Sequence, residues 1–258
     1  MRKRRKKQQK RPWKNAVSIT ILLAAVCVFV FSLYQLLMAL LPYYIGGKEY
    51  DEIKELAITA DAGGKGFSVD FDALLKENPD TVAWIRFDEP AVISYPVVRG
   101  ADNEIYLTKT FSANDNKLGA IFMDCDNNSS FSDRNTIIYG HNLKQGGEMF
   151  SQLNEYEDEG FCQKHPYFYI YTPDGKIRTY QIFCAGVVED DAKNYTKIFA
   201  TEEDFVQFLE DCRASSDYTV DVELGAQSKI VTLSTCTNVN DEERFIVQGV
   251  LTDEVGGE

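Results

Sequence analysis

The sequence predicts a mainly β fold: an eight-stranded barrel with flanking helices, preceded by one N-terminal transmembrane helix. Three observations carry this expectation. Residues 16–41 contain no charged side chain and follow a cluster of nine Lys and Arg within residues 1–15. Beyond residue 80, eight short runs rich in β-branched and aromatic residues recur, many parted by Gly, Asn, Asp or Pro. Two stretches inside that region, 148–156 and 201–212, space their apolar residues as helices do.

The N-terminus comes first. Arg2, Lys3, Arg4, Arg5, Lys6, Lys7, Lys10, Arg11 and Lys14 leave the remaining chain with 18 basic against 40 acidic residues, within an overall net charge of -13. A tail this basic can bind nucleic acid, but the apolar run behind it points to a membrane, and no nucleic-acid partner is expected. Its 26 residues exceed the roughly 20 that cross a bilayer. The positive-inside rule then leaves the tail cytoplasmic and everything after Leu41 outside, with Tyr43 and Tyr44 at the interface. The rival is a cleaved leader. Residues 41–47 offer no small-x-small site, and the run is longer than the roughly 7–15 residues of a leader core, so a retained anchor is the better reading.

The expected organisation is a basic cytoplasmic tail (1–15), a transmembrane helix (16–41), a juxtamembrane helix and linker (42–70) and a folded domain (71–254). In the linker region residues 49–60 favour helix, 61–66 form a Gly-rich break, and 67–77 read as a second short helix with Phe71, Leu74 and Leu75 on one face. The strands are expected at 82–87, 91–98, 119–123, 136–139, 167–171, 177–188, 230–234 and 245–251. The helix near 148–156 places Met149, Phe150, Leu153 and Tyr156 together. The one at 201–212 opens on Thr201 and Asp204 like a capping box and buries Phe205, Phe208 and Leu209.

Cys27 lies in the membrane segment, and Cys125, Cys162, Cys184, Cys212 and Cys236 lie outside it. Five is odd, so at least one external thiol has no partner within the chain. No CxxC pair or Cys/His cluster at metal spacing occurs, and neither metal nor cofactor is expected. Buried inert cysteines plus one special thiol are the simplest account.

Only two histidines can serve as acid or base near neutral pH. His165, between Lys164 and Pro166, reads as a surface turn residue. His141 ends an apolar run where a strand gives way to a loop, and Gly140 beside it lets another chain approach; position alone leaves its role open. Cys236 ends a strand whose alternation puts Val231 and Leu233 on one face and Ser234 and Cys236 on the other. By residue type it would be a buried structural cysteine. Against that, the thiol sits off the apolar face, and a seven-residue loop leads from it to Arg244. In a hairpin, Arg244 would lie beside Cys236. There it could favour the thiolate and hold an oxyanion, although an Arg at a strand end is more often a solubilising charge. The three residues make sense only as a set.

Thr232-Leu233-Ser234-Thr235-Cys236 resembles the sortase signature, with Arg244 on the next strand matching the sortase arginine. Similarity to class B sortases extends over about 71–251, through the runs 78–85, 95–98, 131–142 and 164–167 and the helix near 201–215. The resemblance implies an eight-stranded β-barrel held outside a Gram-positive cell by the membrane anchor, with Cys236 as nucleophile, His141 as acid/base and Arg244 as transition-state stabiliser. It further implies that Asn103, Leu107, Ser234 and Thr235 contact substrate. The implied partners are secreted proteins bearing a C-terminal sorting signal and an acceptor amine from a peptidoglycan precursor or a pilin. The implied reaction is cleavage after Thr through a thioester. Two other classes stay in view: a peptidase that only hydrolyses, and a non-catalytic anchored module. Asp241, Glu242 and Glu243 read as a solvated acidic loop ahead of a calcium site.

Overall fold

The computed structural model describes residues 12–60, 67–88, 90, 93–143 and 148–256. The tail before residue 12, the Gly-rich break at 61–66 and positions 91–92 of the second expected strand lie outside the described residues. The chain parts into two compact units, 1–44 and 45–258.

In the first unit the helix α1 (Pro12–Ala57) begins. Its residues 17–41 expose Val, Ile, Leu and Phe on every side, Phe29 by 67%. A helix hydrophobic all round belongs in a non-aqueous medium.

The end of α1 lies in the second unit and corrects the expectation of a separate helix at 49–60. The helix runs unbroken through Pro42, Gly46 and Gly47 and stops at Ala57. Packing explains part of this: a Cβ on Gly46 would stand 2.8 Å from Leu118 Cδ2, and one on Gly47 would stand 2.9 Å from Glu148 Oε1. The two glycines let this stretch of backbone press against its neighbours, outweighing their poor helix propensity. Tyr50 and Ile53 are buried on the same face.

Strand β1 (Ile58–Ala60) pairs antiparallel with β2 (Phe67–Val69), so the first residues of the expected 67–77 helix are strand instead. Phe67 is held against Trp84 and Tyr171, the latter at 5.0 Å between ring centroids. The helix α2 (Phe71–Glu77) starts only at Asp70, whose carboxylate caps it by accepting from Ala73 N.

Eight strands close into a barrel: β3 (Thr81–Phe87), β4 (Ser94–Val98), β5 (Ile121–Met123), β6 (Asn135–Tyr139), β7 (Tyr167–Tyr171), β8 (Ile177–Glu189), β9 (Ile230–Cys236) and β10 (Glu243–Val255), in spatial order β10-β8-β7-β3-β4-β5-β6-β9. Six neighbouring pairs are antiparallel; β4 with β5 and β6 with β9 are parallel. Trp84, Ile85, Phe168, Tyr180 and Phe245 are among the side chains fully buried in this unit.

The stripe at 148–156 does not form the expected α-helix. Residues Ser151–Glu157 wind as a 3-10 helix, and an α-helix, α3 (Glu159–Lys164), restarts behind an Asp158 cap. Phe150, Leu153 and Tyr156 recur every third residue, the spacing that one face of a 3-10 helix repeats, and all three are buried. The later helix α4 (Glu202–Ala214) has its capping box, Thr201 with Asp204. Its buried Phe205, Phe208, Leu209 and Cys212 cluster with Phe183, Cys184, Ile230 and Ile246. That cluster covers the barrel between β8 and β9.

Candidate active site

Strand direction assembles the site. Because β6 and β9 are parallel, with Asn135 opposite Ile230 and Tyr139 opposite Ser234, their C-terminal ends reach the same rim. Continuing the register by two residues brings His141 level with Cys236. Gly140 N donates to Ser234 O at 3.1 Å, and Asn142 Nδ2 donates to Cys236 O at 2.8 Å. The antiparallel β9–β10 hairpin then sets Arg244 directly opposite Cys236.

A cleft of about 240 Å³ opens at this rim. Its lining includes His141, Cys236 and Arg244, together with Asn103, Leu107, Ser234 and Thr235. All seven sequence-selected residues therefore meet in one place. Phe122, Tyr139 and Gly140 complete the wall.

Each of the central three is held by specific contacts. His141 Nε2 lies 2.8 Å from Leu107 O. Its ring rests against Gly119, where an added Cβ would stand 2.6 Å from Cδ2. Gly119 has φ +63°, a conformation that glycine adopts without strain. Gly140 works as its sequence suggests, since a Cβ there would meet the Phe150 ring at 2.7 Å. Arg244 is braced by its own hairpin: Nη1 donates to Asp241 O at 2.6 Å and to Glu243 O at 2.9 Å, and Nη2 pairs with Asp190 at 3.4 Å. Asn238 Nδ2 donates to Asn142 O at 2.8 Å, tying the loop after Cys236 to the loop after His141.

Burial separates the cysteines. Cys162, Cys184 and Cys212 are buried, and burial pushes each thiol up, Cys184 to about 12. Such thiols are poor nucleophiles at neutral pH. Cys125 is partly exposed but faces Asp126 at 4.0 Å and does not line the cleft. Cys236 alone combines partial exposure with the basic neighbours. His165 ends α3, packs its ring tilted against Phe161 at 4.8 Å between centroids and accepts from Tyr156 OH on its carbonyl, all structural duties.

Three contributors around these residues, Asn142, Asp190 and Tyr195, escaped sequence reasoning. Ser234 Oγ bonds Tyr195 OH at 2.7 Å, and burial pushes that tyrosine up to about 12. Thr235 Oγ1 is buried without a partner among the described residues. Asn142, Asp190 and Tyr195 carry no spacing or composition signal, because their importance comes entirely from crossovers between distant strands.

A closed eight-stranded barrel whose rim joins a cysteine and a histidine across a parallel strand pair, with an arginine opposite the cysteine on the antiparallel neighbour, defines a class of cysteine acyl-transfer enzyme. Residues 89–252 match the sortase domain family. The chain is 31% identical to Sortase B of Listeria monocytogenes, over 92% of this chain and 98% of that protein. The crystal structure of sortase B from B. anthracis in complex with AAEK1 superimposes with a TM-score of 0.72 at 29% identity, covering 83% of this chain and 99% of that one. The Staphylococcus aureus sortase B-substrate complex gives 0.66 at 30% identity, covering 71% and 84%. The chain belongs to the sortase family, among the class B sortases, and is a cysteine transpeptidase.

Proposed function

We propose that this enzyme cleaves a C-terminal sorting motif after its Thr, keeps the acyl group as a thioester on Cys236, and passes it to an amine of the cell wall or of a pilin. The observation that supports this best is the convergence of Cys236, His141 and Arg244 on one cleft. In this reading the Cys236 thiolate attacks the scissile carbonyl carbon. Arg244 donates to the oxygen as it becomes negative, within a site whose fixed donors need no reorganisation. The C–N bond breaks, and His141 gives its proton to the departing amine. An incoming amine then attacks the thioester, surrenders a proton to His141 and releases the thiolate.

Asn103, Leu107, Ser234 and Thr235 bind the sorting peptide along the cleft wall. The domain organisation read from the sequence goes with this role: basic tail 1–15 in the cytoplasm, span 16–41, juxtamembrane segment 42–70 and catalytic domain 71–254 outside the membrane. A long apolar N-terminal helix compatible with one span supports it. A membrane-held enzyme meets substrates that are themselves retained at the membrane by their C-terminal tails.

The test is a sorting peptide of the NPxTx or xPxTG kind, with and without a glycine-ended or diaminopimelate-bearing amine, followed by mass spectrometry. The amine is expected to divert product from acid to amide, and the acyl adduct to map to Cys236. Cys236→Ala and His141→Ala should each abolish turnover. Product that remains the free acid across every amine would turn the reading to a peptidase.

A further inference from the structure

Behind the cleft wall lies a carboxylate that the chemistry above does not use. Asp124 follows β5 directly and is 2% exposed. Its Oδ1 accepts from Lys197 Nζ at 2.7 Å and from Asp126 N at 3.0 Å. Its Oδ2 accepts from Tyr139 OH at 3.0 Å and Asn103 Nδ2 at 3.1 Å. Tyr139 and Asn103 both line the cleft. Asn103 is held at its other end as well, since Cys125 N donates to its Oδ1 at 2.8 Å.

Lys197 brings in a third segment. It sits in the crossover between β8 and α4 and reaches a second carboxylate, Asp126, at 2.9 Å. That crossover is bolted down from the barrel side, where the Asn135 amide donates to Asn194 O and Thr196 O at 3.0 Å each. It also carries Tyr195, which stacks on Tyr139 at 6.4 Å and bonds Ser234. One buried carboxylate thus joins three chain segments around the cleft.

The geometry points to Asp124 as a positioning residue for the transpeptidation, with Lys197 as its counter-charge: together they fix Asn103 and Tyr139 in the orientation that receives the sorting peptide. A neutral group at 124 would accept weakly from Tyr139 and Asn103, freeing the phenol to rotate and the amide to turn over. Substrate binding would suffer while the Cys236 rim, built from β6, β9 and β10, stays intact. Burial raises the Asp124 carboxyl, yet Lys197, the Asp126 amide and Tyr139 together hold it below its usual value, so it is ionised at neutral pH. The charged and titratable groups around it are Lys197, Asp126, Tyr139 and the Cys125 thiol, with Arg99 holding Cys125 O at 2.6 Å.

This rests on the reading that the cleft binds a sorting peptide, and the experiment separates the two. Full-length enzyme in detergent is assayed as wild type, Asp124→Asn, Lys197→Met and the double variant, for kcat, KM, pH profile and iodoacetamide alkylation of Cys236. Misplacing a substrate-positioning group by about 1 Å costs on the order of 10²-fold. We expect kcat/KM to fall roughly 10- to 10²-fold in both single variants, mostly through KM, with alkylation unchanged. In Lys197→Met the acid limb of kcat/KM should move to higher pH, because a buried carboxylate without its cation takes up a proton more readily. The double variant should lose that movement while keeping the raised KM. Wild-type KM in folded Asp124→Asn, or in Lys197→Met should the first fail to fold, would overturn the inference. So would a pH shift that persists in the double variant. Failure of the wild type itself to acylate on Cys236 would instead count against the functional reading.

Discussion

Gly119→Ala would test how the candidate acid/base is held. The new methyl would stand 2.6 Å from His141 Cδ2, 2.9 Å from Nε2 and 2.9 Å from Leu107 O. Ordinary contact begins near 3.4 Å, so the ring must retreat by about 0.8 Å. That retreat breaks the 2.8 Å contact between Nε2 and Leu107 O. A shift near 1 Å in a catalytic group costs on the order of 10²-fold in rate. The backbone adds a separate burden, because an L-residue at φ +63° costs about 1–2 kcal/mol. Ala113, in the same segment at φ 60°, shows that the fold bears such a cost elsewhere. The assay is steady-state transpeptidation beside a thermal melt. We expect a folded protein, modestly destabilised, with kcat reduced about 10²-fold. Full activity in Gly119→Ala would refute the view that His141 is clamped between Gly119 and Leu107.

Three further outcomes are expected. Arg244→Lys should lose about 10²–10³ in turnover, because a Lys point charge cannot reproduce the planar fork at a developing oxyanion; equal rates would reduce Arg244 to a surface charge. Glu148→Gln should flatten stability against pH. Burial raises the Glu148 carboxyl above 4.5, Lys54 opposes this and Asp51 adds to it, so the folded state holds the proton more readily than the unfolded one. Its contribution is therefore greatest below about pH 4.5 and is lost as pH climbs through the raised value. Urea unfolding of wild type and variant across that window reads the difference, and parallel curves would contradict the assignment. For topology, protease added to intact protoplasts should digest residues beyond the span, whereas protection would place the domain inside.

Much of the barrel was legible because strand patterns are local. The runs at 167–171 and 177–188 match β7 and all but the last residue of β8, since alternating β-branched and aromatic residues bounded by Pro173 and Gly175 leave little choice. The expected 230–234 strand extends two residues further to Cys236, and 119–123 begins only at Ile121, where the positive φ of Gly119 has been passed. Errors fell where packing overrides propensity. The helix expected at 49–60 is instead the end of one running unbroken through Gly46 and Gly47, where Leu118 and Glu148 press against the backbone. Residues 67–69 read as helix until Ile58–Ala60 supplies a strand partner.

By itself the sequence determined the long apolar N-terminal helix, the strand-rich domain and the pairing of Cys236 with Arg244, because a charge-free run and a seven-residue hairpin loop act through neighbours along the chain. It could also place His141 at a strand end. Only the tertiary structure decided that this strand lies parallel to β9, which brings together residues separated by nearly a hundred positions. Parallel pairing leaves no local mark, since the partner arrives through a long crossover and not a turn. The same crossover delivers Tyr195 to Ser234 and Lys197 to Asp124. Those contacts arise from the closure of the barrel, so the cleft wall became readable only once the strands had an order in space.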